Sequence, residues 1–436
     1  MATGDCNKEF STDYILLEPE KLNFYELIRI LFPGDIEKRK FVDCLEGAES
    51  NFERRWIIFI SISAQKFLQF VAKPLSWFGS AFETGLNLSS TNGGFGMLLL
   101  NCLRAQTSWF FLNNCIHILY FKHIQGQGGN IQWPDKTSPT FSSFNGHLDK
   151  RVELDESIKP GDSKYYAALT MMSSKISYEN KAFIKTTVED EWKMEFLGSF
   201  DFWNDYQDKA TTQAFILHDK TVDSDTIIVT FRGTETFDAD AWCTDFDISC
   251  DWSQLRGGTG NPLSGNFGIA RGDMDVGETA GRLYIWTTRV GDPKFGEFTT
   301  EQLKEHNIPY FRFVYGNDLV PRLPYDNKAL MFKHFGTCLY YNSFYEGKIV
   351  AEEPNKNYFS PLMAIPKTMN AVWELIRSFI IGHSKGKDYT EGWFLRAFRV
   401  LGLIVPGVSA HGPQDYVNAT RLGSSALFLP HQIPTE

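Results

Sequence analysis

Hydrolysis of an ester by serine requires four groups: a hydroxyl nucleophile, an imidazole base, a carboxylate that orients the imidazole, and N–H donors for the oxyanion. The chain offers a G-x-S-x-G, formed by Gly382, Ser384 and Gly386 in SFIIGHSKG, the spacing in which such a serine is often presented. It places His411 in the loop pattern VSAHGPQDYVNA and Asp318 in YGNDLVPRLP, just past a strand pattern. Thr234 follows Gly233 at the end of TIIVTFRGTE, where small residues let a substrate oxygen approach the backbone. Taken singly, an aspartate at a strand end or a histidine in a loop is more often a cap or a solvated residue.

Groups of this kind need a sheet whose strand ends hold them. TQAFILHD (212–219) and DTIIVTFRGTE (225–235) read as short strands joined by a turn, and YFRFVYGNDLVPRLP as another strand, ending at Asn317 and Asp318. SKYYAALTMMSSKISYENKAFIKTTVEDEW, MNAVWELIRSFII and EGWFLRAFRVLGLI carry helical spacing. Strands interleaved with helices predict an α/β domain, although the strand count is low for one. The surroundings of Ser384 do not suit a nucleophile elbow, which needs a strand before the serine and a helix after it. Ser384 instead follows the helical AVWELIRSFII and precedes KGKDYTEG, as a polar helix-ending loop would.

The 43 Lys and Arg against 53 Asp and Glu give a net charge of -10, which argues against nucleic acid as a partner. Seven cysteines are scattered with no C-x-x-C pair, and the polar start MATGDCNKEFSTDY has no signal-peptide core. An intracellular protein without structural disulfides or zinc is expected. Serine chemistry of this kind also needs no metal or organic cofactor. Aromatic residues crowd the region before Trp133, in WIIFISISAQKFLQFVAKPLSWFGSAF and GFGMLLLNCLRAQTSWFFLNNCIHILYF. Gln65, Lys66, Lys73, Asn101 and Arg104 interrupt both segments, so a spanning helix is not favoured. Buried amphipathic core helices and helices lying on a lipid surface both remain open. The Gly-, Ser- and Pro-rich stretch from Gly126 to Gly146 predicts a linker (126–146) between an aromatic region (1–125) and a second domain (147–436). Oligomeric state is not legible.

The combination of FRGTE, WCTDFDIS, RVGDPKFGEF, NDLVPRLPYD and SAHGPQDYVN resembles the class 3 lipase family. EPEKLNFYELIRILFPGD, together with the aromatic segments, resembles its plant oil-body branch. The resemblance covers nearly the whole chain. It implies an α/β-hydrolase fold, triacylglycerols or related esters as substrates, and attachment of the aromatic region to a lipid droplet or membrane surface. It also implies Asp318 as the triad carboxylate, His411 as the triad base and Thr234 as the oxyanion-hole residue.

The family's chain order, serine then aspartate then histidine, puts the nucleophile between Thr234 and Asp318. No elbow is written there, and using Ser384 would invert the first two members. The interval Cys250–Thr288 is unusual: eight of its 39 residues are glycine, against about 7% in ordinary proteins, and no helix or strand period is sustained. Codons for Cys250 to Ser264 can be chosen so that reading from the second base gives V-T-G-H-S-L-G-G-A-L-A-I-L-F-P. Trp252 and Trp286, each with a single codon, force glycine in that frame where G-H-S and the later G-Q-P require it, and Gln254 followed by Leu255 permits the serine. The interval therefore reads as family sequence in a shifted frame. The expectation is a chain that lacks the nucleophile, its leading strand and its following helix, together with residues between Ser249 and Cys250, leaving an open ladder. Three functions follow: a triacylglycerol lipase at the level of the family, an inactive lipase-like protein bound to a lipid droplet or membrane, and a rearranged hydrolase using Ser384.

Overall fold

The computed structural model describes residues 15–18, 21–34, 39–44, 52–104, 131–204, 209–221, 226–239, 242–243, 265–272, 281–287, 289, 293–306, 308–323, 333–356, 358 and 361–428. Its N-terminal part holds β1 (Ile15–Leu17), α1 (Phe24–Arg29), β2 (Val42–Cys44), α2 (Phe52–Thr91) and α3 (Phe95–Arg104). Next come α4 (Phe144–Leu148), α5 (Tyr165–Ile176) and α6 (Lys181–Thr186). The sheet strands are β3 (Glu195–Asn204), β4 (Lys209–Asp219), β5 (Thr226–Phe231), β6 (Gly265–Gly272) and β7 (Gly281–Thr287). After α7 (Pro293–Glu305) follow β8 (Tyr310–Tyr315), β9 (Thr337–Tyr341) and β10 (Gly347–Val350), then α8 (Ala364–Lys385), α9 (Trp393–Ile404) and α10 (Pro413–Leu422).

Strands β3 to β10 form one sheet in chain order, and β1 pairs with β2 separately. Neighbours from β3 through β7 run antiparallel, β7, β8 and β9 run parallel, and β10 turns back against β9. The parallel step from β7 to β8 is made through α7, the kind of long crossover that parallel strands need. Directions therefore agree for β3, β5, β7, β8 and β9, whose C-terminal ends share one edge of the sheet.

All six residues of β8 are buried, as expected for a strand covered on both faces. Phe311, Phe313 and Tyr315 face the main core, where Leu217 of β4, Ile228 of β5, Leu339 of β9, Leu169 of α5 and Val417 of α10 meet them. Arg312, of opposite parity, donates to Glu353 Oε2 at 2.8 Å, and Arg289 reaches Glu353 Oε1 at 2.9 Å. The two-residue period of a strand thus separates an apolar face from a buried ionic one.

Helix α2 is docked on the sheet domain by both apolar and polar contacts. Phe82 lies 6.3 Å from both Phe144 and Phe237 and 6.0 Å from Phe394. Asn87 donates to the Ser142 carbonyl at 2.8 Å and accepts from its N–H at 2.9 Å, and Glu83 Oε1 accepts from Phe144 N at 2.8 Å. The later part of the expected linker is in this way held against α2.

Residues 250–288 differ from the sequence-based expectation. Cys250–Ser264, with Gln254 and Leu255, and 273–280 lie outside the described residues, as does most of WCTDFDIS. The backbone of 265–272 and 281–287 forms β6 and β7, which bridge β5 to β8 and keep the ladder continuous. Ladder pairing is made by backbone groups, so a segment with no alternating pattern can still fill a place in a sheet. The pair is a hairpin, however. An elbow strand must feed a helix; the residues that follow β6, 273–280, lie outside the described residues.

Candidate active site

Asp318 sits three residues beyond Tyr315, where β8 ends, at the strand edge that α/β sheets use for chemistry. Its carboxylate is fully buried, while the His411 side chain is 37% exposed. His411 Nδ1 lies 2.8 Å from Asp318 Oδ2. The same oxygen accepts from Tyr416 Oη at 2.5 Å, and Oδ1 accepts from Val320 N at 2.9 Å. A carboxylate can only accept here, so Nδ1 carries the proton and Nε2 is the basic nitrogen of the ring. That is the tautomer a general base requires.

The loop bearing Asp318 is tied down by Arg322, whose guanidinium is buried. Its Nη2 donates to the carbonyls of Gly316 at 2.9 Å and Pro354 at 2.8 Å, its Nε to that of Asn355 at 3.0 Å, and its Nη1 to that of Asp318. Arg289 Nη1 in turn donates to the Arg322 carbonyl at 2.7 Å. His411 closes a short 3-10 turn, Ser409–His411, and Gly412 with Pro413 opens α10 directly afterwards. Proline suits that position because its missing N–H would have no partner in the helix and its φ is already helical. Tyr416 lies in the first turns of α10, so one helix start fixes both partners of Asp318 Oδ2. Burial and the Asp318 carboxylate hold the Tyr416 phenol protonated far above its ordinary range.

A buried ionic cluster anchors α10 from below. Arg399 of α9 binds Glu391 through Nε at 2.5 Å and Nη2 at 2.7 Å, and reaches both oxygens of Asp415 at 3.1 Å. Arg377 of α8 donates to Asp415 Oδ1 at 2.6 Å and to the Tyr315 hydroxyl at 2.5 Å. These two cations are matched by Asp415 and Glu391, so a third carboxylate, Glu374, is in surplus. Burial and the charge of Asp415 push Glu374 up to about 7. Asp415 is held below the usual carboxylate range: burial opposes this, but the charges of Arg399 and Arg377 outweigh it.

Thr234 is half-buried in the irregular segment after β5. It is on the same sheet edge as Asp318, and the two strands stand three ladder steps apart, about 14 Å. Ser384 lies elsewhere, in the last turn of α8, where its Oγ donates to the Ile381 carbonyl of its own helix at 3.2 Å. The flanking glycines have local explanations. A Cβ on Gly382 would come within 2.3 Å of Thr390 Oγ1, and Gly386 ends the helix with φ of +110°. The structure therefore brings Asp318 and His411 together and leaves Ser384 in a helix end. Sequence reasoning missed Tyr416 and Arg322; Arg322 lies within the NDLVPRLPYD motif, but nothing in the pattern distinguishes an anchoring arginine. Among the described residues no group of three or more His, Cys, Asp or Glu side chains is placed to hold a metal ion.

Three plant proteins are similar to the chain along most of its length. Triacylglycerol lipase OBL1 of Nicotiana tabacum is 32% identical, over 86% of this chain and 84% of that protein. The chain belongs to the plant oil-body lipase family. Triacylglycerol lipase OBL1 of Arabidopsis thaliana is 30% identical over 94% of this chain and 95% of its own, and that of Ricinus communis 29% identical over 98% of each. No family model matches the chain, and neither does any solved structure. Membership in the oil-body lipases implies an α/β-hydrolase-like fold, in keeping with the mixed sheet and its flanking helices. The alignment to the Ricinus communis lipase extends over 540 residues whereas this chain has 436, so that relative carries residues with no counterpart here.

Proposed function

We propose that Asp318 and His411 are the carboxylate and base of a serine ester hydrolase that cleaves triacylglycerols at a lipid surface, and that the chain as written lacks the nucleophile. The observation that carries the reading is the 2.8 Å contact of His411 Nδ1 with a fully buried carboxylate at the end of a parallel strand. In the complete site the imidazole takes the proton of an elbow serine, the acyl group passes to that serine, and water then releases it as a fatty acid. Thr234 is assigned to the oxyanion side, leaving the two strand places between β5 and β8 for the elbow.

As written, those places hold the antiparallel pair β6 and β7, and the Ricinus communis relative carries residues with no counterpart here. Both features support a displaced frame at Gln254 and Leu255 and favour a second reading for this form, an inactive lipase-like protein that still binds lipid. Residues 1–125 are assigned to the droplet or membrane surface and 147–436 to the hydrolase domain. The test is labelling of the purified chain with an active-site serine phosphonate, beside a version with the G-H-S-L-G-G frame restored. The restored protein is expected to label at the new serine and the chain as written to remain unlabelled. Labelling at Ser384 would overturn the assignment.

A further inference from the structure

In most soluble helices charges face water and apolar residues face the core. Helices α8 and α9 are reversed. Lys367, Glu374 and Arg377 of α8 are buried, whereas Ile365, Met369, Ile376, Phe379 and Ile380 are exposed, Ile365 to 77%. In α9 Arg399 is buried while Trp393, Val400, Leu401 and Ile404 are exposed, the last to 76%. No exposed residue within 362–381 or 393–405 carries a charge, and Thr368 alone among them has a hydrogen-bonding side chain outside the indole of Trp393. The buried charges are satisfied inside: Lys367 donates to the Tyr358 carbonyl at 2.5 Å, and Arg377 and Arg399 share Asp415.

We infer that the outer faces of α8 and α9 form a second lipid-contacting surface, within the hydrolase domain, that seats on a phospholipid-coated triacylglycerol particle. The choice of occupant follows from complementarity. A protein partner is met through a polar rim and many hydrogen bonds; these faces offer almost none, so what matches them is an acyl phase. His383, Lys385 and Lys387, all exposed where α8 ends, suit the phosphate groups at its boundary. Among the described residues no helix is long and apolar enough to cross a membrane, and α8, about 33 Å long at 1.5 Å per residue, fits a helix lying in the surface plane. The face also ends at the site: Ile404 and Val405 are exposed immediately before the turn that carries His411. This inference rests on the reading that the substrate is a glyceride phase, and presents the base to the surface from which that substrate arrives.

The experiment is hydrogen exchange of the full chain with and without a triolein emulsion coated with phosphatidylcholine, paired with flotation of an Ile365→Glu, Ile380→Glu, Ile404→Glu variant. Exchange at 376–381 and 400–405 is expected to slow about tenfold or more on the emulsion, and the variant to float at least about tenfold less. Unchanged exchange in these segments while the protein floats would overturn the inference, as would protection that grows with protein concentration in the absence of emulsion, which would mark a contact between copies. The exchange measurement on the parent decides the matter even if the variant does not fold. Neither readout depends on hydrolysis, so failure here leaves the phosphonate result standing, and the reverse.

Discussion

The Tyr416 hydroxyl lies 2.5 Å from Asp318 Oδ2, the oxygen that also faces His411 Nδ1. The phenol draws part of the carboxylate's charge away from the imidazole, so Tyr416→Phe is expected to raise the His411 pKa. It should also cost about 1–3 kcal/mol of stability, as loss of a buried hydrogen bond to a charged group does. An NMR titration of His411 with a urea melt checks both; a His411 pKa that stays or falls would count against the charge-sharing account.

Arg399 of α9 joins Glu391 in the preceding loop to Asp415 of α10, with its side chain fully buried. Arg399→Met leaves two buried carboxylates without their main counter-charge and is expected to cost about 3–5 kcal/mol. Adding Asp415→Asn should recover part of this because it removes one of the stranded charges. A double-mutant cycle by chemical unfolding measures the coupling, and simple additivity would show the two residues to be independent.

Glu374, at about 7 in the fold and near 4.3 in an unfolded chain, binds its proton more tightly when native. Its contribution to stability is therefore complete below about pH 4 and is lost as pH rises toward 7. Asp415 acts oppositely: its folded pKa is depressed, and the stability it provides is lost as pH falls through that value. Glu374→Gln should flatten the decline between about pH 4.5 and 7, measured as unfolding midpoint against pH. An unchanged slope would place the titration on another group.

Ser384→Ala is expected to change stability by no more than about 0.5 kcal/mol, as an exposed substitution outside any tight contact does. Gly382→Ala should cost about 1–3 kcal/mol because the new methyl meets Thr390, and Thr390→Ala should relieve part of that cost. An elbow would give the contrasting pattern, with Ser384 decisive for phosphonate labelling.

Period and composition made much of the architecture legible. The reading at 212–219 falls within β4, 225–235 contains β5, MNAVWELIRSFII lies in α8, and EGWFLRAFRVLGLI contains α9, starting two residues before it. The long pattern from Ser163 to Trp192 is instead broken at Tyr178–Asn180, where Asn180 caps α6 by accepting from Phe183 N at 2.9 Å. The edge strands β3 and β10 were missed because EFLGSFDFWN contains a glycine and aspartate, and GKIV is only four residues long. Asp318 and His411 stand out only because several motifs coincide; their mutual distance is a tertiary fact. The inversion of α8 was hidden for a different reason. A helical period shows which residues share a face, but it does not say which face is inside.

Every hydrogen bond described here to the Asp318 carboxylate comes from between Val320 and Tyr416, wholly C-terminal to the β6–β7 hairpin. On the proposed reading the site is modular in consequence: its acid–base half is carried by a stretch of chain separate from the one assigned to the nucleophile. If that reading holds, a codon change confined to the centre of the sheet switches off turnover in one step and leaves the periphery in place, and reversing it supplies a serine to an imidazole already oriented by Asp318.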